Sequence, residues 1–73
     1  MEVYKNLGGD SGVVGYQIEE DRIIVEFSSG AQYSYTYRNP GIDHVEEMKE
    51  LARAGKGLNS YINRNVKYDY DKS

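Results

Sequence analysis

From Val13 to Tyr37 apolar and polar positions alternate in runs separated by turn signals. Val13 to Ile18 puts Val14, Tyr16 and Ile18 on one side, and Glu19-Glu20-Asp21 follows as a polar turn. Arg22 to Phe27 puts Ile23, Val25 and Phe27 on one side and Ile24 and Glu26 on the other. Ser28-Ser29-Gly30 then leads into a run in which Tyr33, Tyr35 and Tyr37 alternate with Gln32, Ser34 and Thr36. A period of two marks one face of a β-strand, and short polar or glycine-bearing links join consecutive strands as hairpins. The pattern predicts an antiparallel meander.

After the tyrosine run the period changes. Asn39-Pro40-Gly41 breaks the strand, and a proline suits the first turn of a helix, where its missing N–H has no intrahelical partner anyway. Ile42, Val45, Met48 and Ala52, with Leu51 beside them, form an apolar stripe at helical spacing, and Asp43 with Glu46 has the form of a capping box. Arg53 suits the negative end of the helix dipole and Gly55 a left-handed stop. A second, shorter helix is expected from about Lys56 to Asn65, with Leu58 and Ile62 at i,i+4 and Tyr61 flanking them. Val66 to Tyr70 alternates again, as a short edge strand or a loosely packed extended segment. Residues 1–12 end in Gly8-Gly9-Asp10-Ser11-Gly12 and read as a loosely ordered lead-in to a single domain over 13–70, with 71–73 as a tail. The fold class is α+β: a three-stranded antiparallel meander covered on one face by two helices, with a short C-terminal edge strand as an addition.

The meander has one face to bury. Turning Gln17, Glu26, Gln32, Ser34 and Thr36 toward the helices would bury polar groups at about 1 to 3 kcal/mol each when unpaired. Turning Tyr16, Phe27, Tyr33 and Tyr35 inward instead buries large rings, worth about 1.5 to 3 kcal/mol apiece. The phenolic face is therefore expected to be the core side, with Tyr16, Ile18, Val25, Phe27, Tyr33, Tyr35, Val45, Met48, Leu51, Leu58 and Ile62 packed together. Tyr37, at the strand end, is expected to stay partly exposed.

Composition narrows the picture further. With 73 residues the chain has room for one small domain, and with 8 tyrosines, 1 phenylalanine and no tryptophan its core must accommodate rings whose hydroxyls need a partner. The absence of cysteine excludes disulfides, thiolate metal sites and a cysteine nucleophile, and fits a reducing compartment. No segment approaches the ~20 apolar residues that span a bilayer, so a cytoplasmic protein is expected, with no membrane partner. The net charge of −3 argues against strong non-specific nucleic-acid binding. That charge is unevenly placed: Arg53, Lys56, Arg64 and Lys67 are all basic with no acid between them, while Asp43, Glu46, Glu47 and Glu50 crowd the first helix.

Several motifs invite sharper readings. Gly9-Asp10-Ser11-Gly12 has the look of a serine-protease nucleophile segment, but that mechanism needs a histidine base oriented by a buried carboxylate, and the one histidine, His44, lies in a helix of a small domain. Gly55-Lys56 lacks the earlier glycine and the following hydroxyl of a phosphate-binding loop. His44 and Glu47 at i,i+3 offer a metal two ligands without a third, so a solvated histidine is the plainer reading. No acid and base pair demands catalysis, so no enzyme, no metal and no cofactor are expected. The remaining candidate is a nucleic-acid surface: Arg53, Lys56, Arg64 and Lys67 on phosphates, with Tyr61 or Tyr37 stacking on bases. The alternative is a contact with another protein, or with a second copy of the chain, through the edge of the tyrosine strand or the segment from Val66 to Tyr70.

The order of these signals resembles the KTSC domain, a short domain appended to some lysyl-tRNA synthetases and also found alone in bacteria and phages. The resemblance covers about residues 13 to 70 and rests on Gly15-Tyr16, on Ile23, Val25 and Phe27 leading to Gly30, Tyr33 and Tyr35, on the proline before a helix, and on Gly55, Leu58, Asn59 and Ile62 ending in Tyr68. Leu58 stands where the family has an aromatic, and Arg53 where it has a serine. The resemblance implies a small α+β fold, and the synthetase association implies RNA as partner.

Overall fold

Inward-facing residues of successive strands line up in ranks. Tyr16 lies opposite Val25 and Val25 opposite Tyr33, while Ile18 lies opposite Ile23 and Ile23 opposite Tyr35. These pairings belong to a computed structural model that describes residues 1–9 and 12–72. Its sheet is antiparallel throughout, in the order β1 (Glu2–Val3), β2 (Val13–Glu19), β3 (Arg22–Phe27), β4 (Gln32–Thr36) and β5 (Asp71–Lys72). Two helices, α1 (Ile42–Ala54) and α2 (Leu58–Tyr61), complete an α+β fold, and α2 runs on into a π-helical turn over Ile62–Val66.

The phenolic face points inward, as the elimination argument requires. Ile23, Val25 and Tyr35 are buried with Val45, Met48 and Ala52 of α1 and with Leu58, Ile62 and Val66 of the α2 segment. Tyr16, Ile18, Phe27, Tyr33 and Leu51 pack against this cluster without being fully enclosed. On the opposite face Gln17, Glu19 and Gln32 stay in water, whereas Ser34 and Thr36, expected to be exposed with them, are buried.

The first departure from the alternation is local. A β-bulge between Val13 and Gly15 shifts the register of β2 against β3, so Val13 faces Phe27 in the core and Val14 is turned out. Two residues opposing one on the partner strand reset which side each later residue takes, and strict alternation across such a site misplaces one of them. Gly15 sits where the bulge meets β1: a Cβ there would come within 3.1 Å of the Glu2 carbonyl oxygen.

The chain ends depart further. Within the expected lead-in, Glu2–Val3 pairs with Gly15 and Tyr16, and Tyr4 belongs to the core. The Tyr4 hydroxyl accepts a hydrogen bond from the Leu58 N–H at 3.3 Å, which spares one unpaired donor at the start of α2. Asp10 and Ser11, the centre of the Gly9 to Gly12 motif, lie outside the described residues. Two residues of the expected tail are paired as well, Asp71 with Ser34 and Lys72 with Tyr33. Val66 to Tyr70 is accordingly not the edge strand. Val66 closes the helical segment, a turn carries the Asp69 N–H to the Val66 carbonyl, and Tyr70 stacks on Tyr33 with ring centroids 3.9 Å apart.

Helix α1 begins without the capping box. Its N-cap is Gly41, with no side-chain cap bond, and Asp43 contributes only as a negative charge in the first turn. Pro40 lies before that cap, after a cis peptide bond, instead of inside the first turn. Ile42 is exposed, so the buried stripe starts at Val45. The C-terminus ends as its residues imply, with Gly55 left-handed at φ 80° and its N–H bonded to the Leu51 and Ala52 carbonyls.

Candidate nucleic-acid interface

The basic residues sit around the junction of α1 and α2. Gly55 and Gly57 both have left-handed backbones, at φ 80° and 85°, which turns the chain sharply and leaves Lys56 exposed between them. The Leu7 N–H donates to the Gly55 carbonyl at 2.7 Å, so the N-terminal segment braces this turn from outside. Lys56 opens onto a small polar cleft with Asn6, Asn59 and Ser60. Arg64 is exposed on the π-helical turn, and Lys67 follows it with its ammonium 5.6 Å from the centre of the Tyr68 ring.

Arg53 looks elsewhere. It lines an open groove with Glu2, Tyr16, Gln17 and Ile18, on the side of the sheet where β1 meets β2. Arg53 and Lys56 therefore border different clefts, although three residues separate them in sequence.

The two tyrosines expected to stack are engaged inside the domain. The Tyr37 hydroxyl donates to Glu46 at 2.6 Å, and the ammonium of Lys49 lies 5.2 Å from the centre of its ring. Lys49 also bonds Glu46 at 2.9 Å and the Glu20 carbonyl at 3.2 Å. Accepting from Tyr37, then from Lys49, holds the Glu46 carboxyl below its ordinary value, while the bond to Glu46 raises the Tyr37 hydroxyl above its own. Burial pulls Lys49 down, and its bonds to Glu46 and Tyr37 outweigh that pull and leave it raised. Tyr61 shares a 2.7 Å hydrogen bond with His44 Nδ1, ring edge toward ring face. Burial raises the Tyr61 hydroxyl first, and the charges of Glu47 and Asp43 add to it. His44 is thus a half-buried partner of Tyr61 and not a solvated residue.

Among the described residues the exposed aromatic ring is that of Tyr68, 78% exposed. Reading residues 66 to 70 as a strand placed Tyr68 beside Val66 and Tyr70 and hid it. A signal was there: Leu58, Ile62 and Val66 recur at every fourth position, so the helical stripe continues through Val66 and leaves Tyr68 off its apolar side. Lys49 was equally hidden, as a charged residue in an acidic helix face with nothing to mark it as buried.

Among the described residues no group of three potential metal ligands converges, and no helix is long and apolar enough to cross a membrane. Comparison with protein-family models, with curated proteins and with solved structures yields no match to this chain.

Proposed function

We propose that this chain is a non-enzymatic, KTSC-like domain that binds single-stranded RNA through Lys56, Arg64, Lys67 and Tyr68. The observation that carries the reading is the exposed Tyr68 ring beside Lys67, at the end of a segment whose charged side chains are all basic. Base stacking on an exposed aromatic contributes about 1 to 3 kcal/mol per base, and neighbouring cations neutralise the phosphates on either side of the stacked base. Tyr37 and Tyr61 drop out of the stacking role because their hydroxyls are tied to Glu46 and His44. The order of three hairpin-linked strands, a proline and two helices supports the family resemblance. The net negative charge keeps binding local, weak and salt-sensitive.

The test is an NMR titration of labelled protein with a single-stranded and a hairpin RNA at low salt. Amide shifts at Lys56 and from Arg64 to Tyr68, lost in Lys67→Glu and weakened in Tyr68→Ala, are expected. No shifts, or shifts indifferent to Lys56→Glu and Arg64→Glu, would discard the reading in favour of a protein contact. A homodimer through the tyrosine strand would have to release Asp71 and Lys72 from Ser34 and Tyr33. Sedimentation over a range of concentrations detects it directly.

A further inference from the structure

The turn between α1 and α2 and the segment from Tyr4 to Gly8 border a small cleft of about 150 Å³. Buried Tyr4 and the backbone of Gly8 and Gly57 form part of its wall, while Lys56, Asn59 and Ser60 bring polar side chains to it. The Leu58 N–H is already taken by the Tyr4 hydroxyl, so the cleft meets a ligand through those side chains. Asn59 is half-buried, yet its amide has no hydrogen-bond partner among the described residues. The Ser60 hydroxyl and the Lys56 ammonium are likewise unpaired there. An amide presents a donor and an acceptor side by side, a hydroxyl serves as either, and an ammonium only donates.

We propose that this cleft takes one pyrimidine base of a single-stranded RNA, which rests on the reading that the chain binds such an RNA and names the strands it favours. Sequence in single strands is read by splaying a base out of the stack and bonding its edge. A cavity of about 150 Å³ holds one benzene-sized ring, so a six-membered base fits and the two fused rings of a purine overfill it. Glycine at positions 8 and 57 lets the flat face of a ring approach the backbone closely. Uracil offers N3–H beside the O4 carbonyl, and cytosine offers its amino group beside N3. The Asn59 amide meets either pair in one of its two flipped orientations. Both pyrimidines then keep the O2 carbonyl as an acceptor for Ser60 or Lys56. Adenine has no carbonyl and leaves those donors unmet.

The probes are hexauridylate and hexaadenylate, titrated separately into the labelled chain at low salt and followed by NMR. Both should move the amides from Arg64 to Tyr68, because stacking and phosphate contacts tolerate any base. Hexauridylate alone should move Asn59, Ser60 and the Asn59 side-chain amide, and should bind several-fold more tightly. Asn59→Ala should make the two strands bind alike at an unchanged salt dependence, because the amide neutralises no phosphate. Equal responses to the two strands, silence at Asn59 and Ser60, or a uridine preference that survives Asn59→Ala would overturn the proposal and leave RNA binding through Arg64 to Tyr68 standing. No shifts with either strand would overturn that binding and the proposal with it.

Discussion

Lys49 brings an ammonium to a site where only 5% of the residue meets solvent, and it ties three parts of the fold together. It reaches Glu20 in the turn between β2 and β3, Tyr37 just past β4, and Glu46 one turn back in its own helix. Because the Glu46 side chain is 52% exposed, water can replace Lys49 there, whereas the buried lysine stem has no substitute. Lys49→Ala should therefore lower stability by about 1 to 3 kcal/mol, and Lys49→Met should recover most of the loss. Thermal unfolding resolves this easily, since each kcal/mol moves the midpoint of so small a domain by about 4 to 8 °C. Equal losses in both variants would show that the charge matters more than the stem. Tyr35 makes the second prediction at this scale. Burial, and then its neighbours Tyr70 and Tyr33, push its hydroxyl well above the ordinary value of 10.0. The folded state thus favours the neutral phenol, so its contribution is complete below pH 10.0 and is lost as pH rises above that value. Each such group removes about 1.4 kcal/mol per pH unit in that window. Denaturation in urea at several alkaline pH values should show a slope that is shallower in Tyr35→Phe.

At the scale of elements, what could be read from the residues was what repeats. The three central strands carry whole periods and short links, and α1 carries two buried turns from Val45 to Ala52, so their types and inward faces follow from spacing. β1 and β5 are two residues long and contain no period at all; tertiary contacts make them strands. The bulge at Val14 defeats alternation for a related reason, since it is a feature of two strands together. Of the candidate site, the basic residues were legible as a run of one charge. Its aromatic member was not, because two competing periods fit residues 62 to 70. Gly55 was legible as a helix stop, and the fold adds a second demand on it. A Cβ at Gly55 would stand 2.7 Å from the Cβ of Lys5, in a backbone already at φ 80°. Gly55→Ala should cost more than the ~1 to 2 kcal/mol of a left-handed non-glycine residue alone, because Lys5 and the bond from Leu7 must shift with it. Lys5→Gly in the same background should restore part of the stability. No restoration in chemical denaturation would place the whole penalty in the backbone.

Over the whole molecule, charge divides the surface more sharply than the net value of −3 suggests. Acid lines α1 from Asp43 to Glu50, while the turn after α1 and the segment running to Tyr68 are basic. A net charge of −3 does not draw in a polyanion at long range, so attraction of a nucleic acid must come from contacts made within roughly a Debye length, about 10 Å at 0.1 M salt. Contacts of that kind release a countable number of ions. With Lys56, Arg64 and Lys67 each neutralising one phosphate of a single strand, the slope of log affinity against log salt is near −2.1, or about a 20-fold loss between 50 and 200 mM. Charge reversal at Lys56 or Arg64 should flatten the slope by about 0.7 as well as weaken binding, whereas Tyr68→Ala should weaken binding at an unchanged slope, because stacking moves no counterions. Fluorescence anisotropy of a labelled single-stranded RNA across that salt range separates the two effects. A slope insensitive to all three cations would place the phosphates elsewhere on the surface.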